Sequence, residues 1–519
     1  MKSFSGSKSL IAILIGLCIL AAAGCSAENS QADPEKEEKD KKVSMIFSFK
    51  SPNMDPHTGF TPIRAGVTET LLKLDENSKI EGWLAEKWET EDNVNWTFTI
   101  RDEVKFQDGK KLDAAAVKAS LERSAAVNES LGDSLKIQSM EADGQTLSIT
   151  TTEPYPALPS ELVNPYTSIV NTEAEKEMGE EEFNNAPVGT GPFKVKTFIS
   201  NQEVQVEKFS GYWAGEPKVS EAVIKFNEDA NVRSLAFQSK EADVVYNIPA
   251  EGIEPIEKDK ELKVESVPGL RAHFILYNQQ SPKVSDVKVR EALDLLLDRK
   301  SAAEDIMLGH GIPANGPFNS TLPFGIKDEV KAVNVDKAKE LLAEAGYKEN
   351  GQGKMEKDGQ PLKLELITYK ARPELPLIAQ LLQSDAAKAG IDIEIKNVEN
   401  ADTHLVENKD WDLATYSNNT SPRGDGSYFL NTAFTKTGAL NVGKISIPEL
   451  NELIKELNTT TDLDKRTQLT RDAAGIINKE FAHSYAVYPN ILVGVNKRVQ
   501  NFNPTAEEYY ILTHTMDVK

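Results

Sequence analysis

At 519 residues, 39% hydrophobic and 27% charged, the chain is long enough to bury one or more sizeable cores. Its 81 acidic residues outnumber 59 basic ones, for a formal net charge of -22, which argues against a nucleic-acid binder because neutralising phosphates needs basic surface. The only two cysteines, Cys18 and Cys25, sit at the extreme N-terminus, so the rest of the chain has neither a disulfide framework nor a cysteine metal cluster.

Residues 1–25 read as a secretory signal. Lys2 and Lys8 form a positive start, residues 10–20 an apolar stretch too short for a permanent span, and Ala21-Ala22-Ala23-Gly24 a small-residue end before Cys25. That end resembles the lipobox of bacterial lipoproteins, which implies lipidation of Cys25; the alternative is an ordinary cleaved signal that carries a cysteine. Residues 26–42 (SAENSQADPEKEEKDKK) have no large apolar side chain and read as a flexible tether. Beyond Val43 no apolar run approaches the roughly 18 residues of a spanning helix. The expected localisation is therefore extracytoplasmic, lipid-anchored to a bacterial cell membrane.

The body alternates strand-like and helix-like segments. Residues 43–49 are strand-like, residues 95–100 alternate, and Gln107-Asp108-Gly109 is a turn. Asp113 caps an alanine-rich helix, and Ser285-Asp286 opens another whose apolar stripe contains Val289, Ala292, Leu293 and Leu296 and which Gly309 stops. Asp336 is expected to cap a helix ending at Gly346, and Pro376 to start one running to Ala389. Residues 362–369 and 391–398 are strands, and 417–427 a loop carrying Arg423-Gly424-Asp425. This rhythm predicts a mixed α/β protein.

Catalytic patterns are missing. There is no G-x-S-x-G, no P-loop and no G-x-G-x-x-G, and Gly189-Thr190-Gly191 runs into Pro192. None of the six histidines pairs at helical metal-ligand spacing, and H-E-x-x-H is absent. An enzyme is not expected.

Several segments carry a resemblance in order. They are Gly82 to Trp88 (GWLAEKW), Trp96 to Arg123, PVGTGPF at 187–193, Gly211-Tyr212-Trp213, VREALDLLLDRK at 289–300, GHGIPANGP at 309–317, DKAKELLAEAGY at 336–347 and LKLELITY at 362–369. Together they resemble the family 5 extracellular solute-binding proteins, the peptide, nickel and opine receptors of ABC importers, from Val43 to the C-terminus. The resemblance implies a two-lobed periplasmic-binding-protein-like α/β fold (type II, cluster C). It also implies a lobe I of residues 43–272 plus 493–519, with an extra subdomain near 76–186, and a lobe II of residues 273–492. The crossings would be residues 273–278 and 485–492, and closure around ligand would be a hinge motion. Permease and ATPase subunits are the implied partners of a monomeric receptor.

Peptide receptors of the family carry an acidic loop whose carboxylate takes the peptide's amino group; here Arg423 intrudes beside Asp425. A guanidinium there suits a carboxylate-rich ligand, and Arg372 supplies a second. The favoured ligand is a chelated divalent metal: nickel, cobalt or zinc with an opine metallophore or histidine. A chelate brings its own donors, leaving the protein to provide charge and aromatic walls. Candidate ligand-binding residues are Arg423, Arg372, Tyr416, Asn419, Asp425, Tyr428 and Trp411, with Trp96 a further wall and His483 a candidate metal ligand. Best-known nickel receptors have an arginine after the P-Y-P segment and a histidine after the acidic loop. Residues 153–170 lack that arginine and 431–446 that histidine, so a direct histidine–nickel site of that type is not expected. An oligopeptide receptor, with Asp425 on the amino terminus and Arg423 on the carboxylate, stays open. So does an extracytoplasmic hydrolase or chaperone on the same fold.

Overall fold

The computed structural model describes residues 41–370 and 372–519. The expected signal segment, Cys25 and nearly all of the tether lie outside the described residues. No helix among the described residues is long and apolar enough to cross a membrane.

A 14-residue strand, His483–Asn496, organises the fold. Its first half pairs antiparallel with Arg271–Tyr277, and its second half with Val244–Tyr246 and Leu262–Pro268. The strand sits in the middle of a 12-stranded sheet. On one side lie Arg271–Tyr277, Leu413–Asn419, Lys363–Tyr369 and Asp392–Val398; on the other lie Val244–Tyr246, Lys42–Phe47, Glu221–Phe226, Glu203–Lys208 and Phe193–Ile199. Lys42–Phe47 and Lys363–Tyr369 each run parallel to both neighbours, as strands in crossover units do.

The cores fall into two sets. Residues 270–488 build two clusters, one on each face of their part of the sheet: Leu364, Leu366, Leu375 and Ile378 on one side, Phe274, Ala414, Trp411 and Phe429 on the other. Residues 43–67, 193–264 and 492–518 build the second set. A satellite cluster of residues 71–169 packs around a separate four-stranded sheet, Ala85–Thr90, Asn95–Ile100, Thr146–Thr151 and Ile137–Asp143. We propose that the two sets are the two lobes and the satellite the inserted subdomain. The outgoing crossing then falls at Gly269-Leu270, ahead of the expected 273–278, because 271–277 is already paired within lobe II. A Cβ on Gly269 would lie 2.8 Å from the Pro489 carbonyl oxygen, so the two crossing segments approach at a spacing only glycine permits.

Local signals held where side-chain caps form. Asp113 accepts from the Ala116 amide at 2.8 Å and starts helix Ala114–Val127. Asp286 accepts from Lys288 and starts Val287–Leu295. That helix is shorter than expected: Arg299 folds back onto the Asp294 and Leu297 carbonyls and the Asp294 carboxylate, and Asp298 caps a new turn. Asn334, and not Asp336, caps Val335–Glu344, and the helix expected at Pro376 begins two residues earlier as Glu374–Lys388.

The junction of subdomain and lobe I explains two of the sequence segments. Glycines 189 and 191 press against the backbone of Gly66 and Val67. Glu69, fully buried, accepts from Thr190 Oγ1 (2.8 Å), Tyr212 Oη (2.6 Å) and Trp213 Nε1 (3.1 Å). Burial pushes its carboxyl up to about 7, against the opposing pull of these three donors. Between pH 4.5 and 7 the unfolded chain therefore holds fewer protons on this group than the folded chain. Stability contributed here is full below about pH 4.5 and declines as pH rises to 7, by on the order of 3 kcal/mol. Urea denaturation at pH 5 and pH 7.5 should show that decline in the parent chain and lose this part of it in Glu69→Gln.

Candidate ligand-binding cleft

Strands Lys363–Tyr369 and Leu413–Asn419 run parallel, so their carboxyl ends lie at the same edge of the sheet. Ligands of open α/β sheets sit in such crevices. Residues 372–373 lead into helix Glu374–Lys388, and loop 420–426 into helix Ser427–Phe434. Ser160, Glu161 and Tyr509 of lobe I meet loop 420–426.

Loop 420–426 is already engaged with lobe I. Tyr509 Oη donates to the Pro422 carbonyl at 3.1 Å, and Ser160 Oγ donates to the Arg423 carbonyl at 3.0 Å. The Arg423 guanidinium pairs with Glu161, which is 7% exposed, and lies 5.0 Å from the Tyr428 ring centroid. Gly424 has φ +69° and no room for a side chain, since a Cβ would stand 2.4 Å from the Ser78 carbonyl oxygen. Asp425 turns the other way, into lobe II, accepting from Arg466 Nη2 at 2.6 Å and Nε at 3.1 Å. Its carboxyl stays below the usual range, held there by Arg466 and Ser427 against burial. Arg423 and Asp425 thus each have an intramolecular partner in this structure.

The other expected residues separate into two groups. Tyr416, Tyr428, Asn419 and Arg372 are at the crevice. Tyr416 donates to the Asp402 carboxylate, and its ring lies 5.8 Å from Phe274 and 6.4 Å from Tyr369. Asn419 Oδ1 is buried without a hydrogen-bond partner, and Arg372 is exposed. Trp411 is 2% exposed inside the lobe II core, and Trp96 is buried in the subdomain. His483 pairs with Leu276, at the opposite end of the strand from Arg271, and lines a separate cavity of about 260 Å³ with Asp294, Lys331 and Phe481. Burial pulls its imidazole down to about 3, so it is neutral there, and it is removed from the cleft. Among the described residues no three His, Cys, Asp or Glu side chains group as a metal site.

Sequence reasoning missed Arg271, His273, Glu374 and Arg64. Arg271 starts strand Arg271–Tyr277, directly after the proposed crossing, and opposes Asn419 in register. Its guanidinium makes one hydrogen bond, to Ser417 Oγ at 3.1 Å, and no ion pair among the described residues. Burial, then the neighbouring Arg372 charge, pulls it down to about 10, while Glu508, Tyr369 and Glu374 act in the opposite sense. Across the crevice Arg64 stacks 4.4 Å from the Phe49 ring and donates to the Glu508 carbonyl at 2.8 Å. Burial pushes the Tyr509 hydroxyl up to about 12, with Arg423 and Arg64 drawing it back. The readable signal for Arg271 was a charge beginning an otherwise apolar strand, RAHFILY.

The Arg423–Glu161 pair is a buried bridge between the proposed lobes, so removing one partner strands the other. Arg423→Ala is expected to cost about 3 kcal/mol, and the double variant Glu161→Leu with Arg423→Met to recover most of it. Chemical denaturation of the single and double variants measures both.

The comparisons agree with this architecture. The model of the bacterial extracellular solute-binding proteins, family 5 (middle), matches residues 79–441. The nickel-binding protein NikA of Staphylococcus aureus is 34% identical over 501 residues, 96% of this chain and 97% of that protein. The crystal structure of a nickel ABC transporter protein from Bacillus halodurans is 43% identical, with TM-score 0.83 over 92% of this chain and 100% of that one. Staphylococcus aureus NikA in complex with Ni(L-His)2 superposes with TM-score 0.75 at 34% identity, over 92% of this chain and 100% of that one. With a crevice at the carboxyl ends of parallel strands and a family match across most of its length, the chain belongs to the bacterial extracellular solute-binding proteins of family 5.

Proposed function

We propose that this protein is the substrate-binding component of an ABC importer and captures nickel as a complex with a small carboxylate-bearing chelator. The observation that carries the reading is the pair Arg271 and Arg372, two guanidinium groups at the crevice with no ion pair among the described residues. A buried charge such as Arg271 needs an anion, the exposed Arg372 is available for a second contact, and a carboxylate accepts two parallel N–H bonds from a guanidinium. Arg423 and Asp425 are paired with Glu161 and Arg466, whereas Arg271, Arg372 and, across the crevice, Arg64 have no ion pair among the described residues. The same fact weighs against an oligopeptide receptor, whose amino-terminal anchor would have been Asp425. The relatives named for nickel, one of them holding Ni(L-His)2, support the metal. Lobe closure would seal the chelate in, and the closed protein would deliver it to permease and ATPase subunits. Lipidation of Cys25 would keep the receptor at the membrane as a monomer, without catalysis.

Native mass spectrometry of the protein with Ni(II), L-histidine, or both tests this. Nickel plus histidine should add the mass of the complex, and nickel alone should add none. Arg271→Ala should weaken binding roughly 10- to 100-fold, the effect of one charge-assisted hydrogen-bond set at about 1.5–3 kcal/mol. Retention of short peptides without metal would overturn the reading.

A further inference from the structure

Loop 420–426 is anchored in lobe II at both ends. The Thr420 amide donates to the Leu270 carbonyl at 2.9 Å, beside the proposed crossing. At the other end the Ser427 amide donates to Asp425 Oδ1. Arg466, which holds Asp425, is fixed in turn by donating to the Leu457 and Thr460 carbonyls at 2.7 and 2.9 Å. A Cβ on Gly426 would stand 2.4 Å from Thr470 Cγ2, so this end of the loop lies flat on helix Leu463–Lys479. Between these anchors the tip, Pro422-Arg423-Gly424, reaches to the other side.

What receives Arg423 and Gly424 is the inserted subdomain. Ser160 and Glu161 belong to its short helix Leu158–Glu161, which Leu158 and Leu162 root in the satellite core. Leu74 ends strand Leu72–Leu74, and Ser78 lies in the turn that joins it to strand Ile80–Gly82. These two close on Gly424 so tightly that a Cβ there would lie 2.4 Å from the Ser78 oxygen and 2.7 Å from Leu74 Cδ2. Ser78 itself has φ +60°, uncommon for a residue with a Cβ, and it is the carbonyl of this residue that meets the loop. An ion pair, a hydrogen bond and a glycine-only steric fit thus converge on two neighbouring residues of lobe II, from two separate segments of the subdomain. With a sheet and a core of its own, the subdomain presents these groups as one body.

Resting on the receptor reading above, we propose that the inserted subdomain is a clasp: it grips the tip of loop 420–426 when the lobes meet and so sets how long a captured ligand is held. Glu161 is a positioning residue in this scheme, acting through Arg423 and the loop. Capture precedes the contact, whereas release requires the contact to part, so a weakened clasp changes the rate of release far more than the rate of association.

Stopped-flow association and release of Ni(II)–L-histidine by the parent protein, Glu161→Gln, Gly424→Ala and the double variant tests the clasp. Gly424→Ala leaves both charges in place and blocks the approach with its Cβ, so it stays informative if Glu161→Gln folds poorly. Each single variant should speed release at least fivefold and leave the association rate within twofold of the parent's. The double variant should add little to either, because both substitutions break the same contact. Electron–electron distances between nitroxides on Asp143→Cys in the subdomain and Glu407→Cys in lobe II, both exposed positions, should lengthen in each variant with chelate bound. Release within twofold of the parent's rate in both single variants, or a double variant that multiplies the two effects, overturns the clasp and leaves the receptor reading standing. If the parent protein binds no nickel chelate, the nickel reading falls, and the distances without ligand decide the clasp: they lengthen in Glu161→Gln and Gly424→Ala if the subdomain grips the loop, and unchanged distances end the inference.

Discussion

One strand holds the molecule together. His483–Asn496 gives its first half to the sheet of residues 271–419 and its second half to the sheet around Lys42–Phe47. At about 3.3 Å per residue its 14 residues extend roughly 46 Å, far enough to belong to two cores at once. Everything in the cleft inherits its position from this sharing. Arg271 is placed by pairing in the first half, and Gly269 lies against Pro489 where the chain passes between the halves.

Charge then divides the cleft into a part that is satisfied and a part that is not. Arg423 and Glu161 neutralise one another across the proposed lobes, and Asp425 and Arg466 do so within lobe II. These pairs set geometry: Tyr509 and Ser160 hold the same loop by its carbonyls, and Gly424 allows the close approach. Arg271 and Arg372 are left without such partners, next to acceptors that are also unsatisfied. For Arg271 burial makes the missing partner costly, whereas the exposed Arg372 is solvated.

The segments that carried the family resemblance have physical roles that their residues alone did not disclose. Gly189 and Gly191 let one backbone lie on another, and Tyr212 and Trp213 hold a buried carboxylate, Glu69, that no motif mentions. The departure noted after the P-Y-P segment has a counterpart as well. Where an arginine was sought within residues 153–170, the chain has Glu161, the partner of Arg423.

What the sequence determined by itself was local and compositional. Caps such as Asp113 and Asp286, the alternation of 95–100 and 363–369, and the glycine end at Gly346 follow from interactions within a few residues, and the α/β class follows from their order. The ordered segments also sufficed for the family. Tertiary structure alone decided which charges are free. Arg423 and Arg372 are equivalent in a sequence, but Glu161 lies 262 residues from the first, and only folding brings it there. Trp411 and His483 likewise had the right chemistry for a site and were taken into the lobe II interior by the strands that carry them. A binding residue is defined by the partner it lacks, and that is settled by long-range packing.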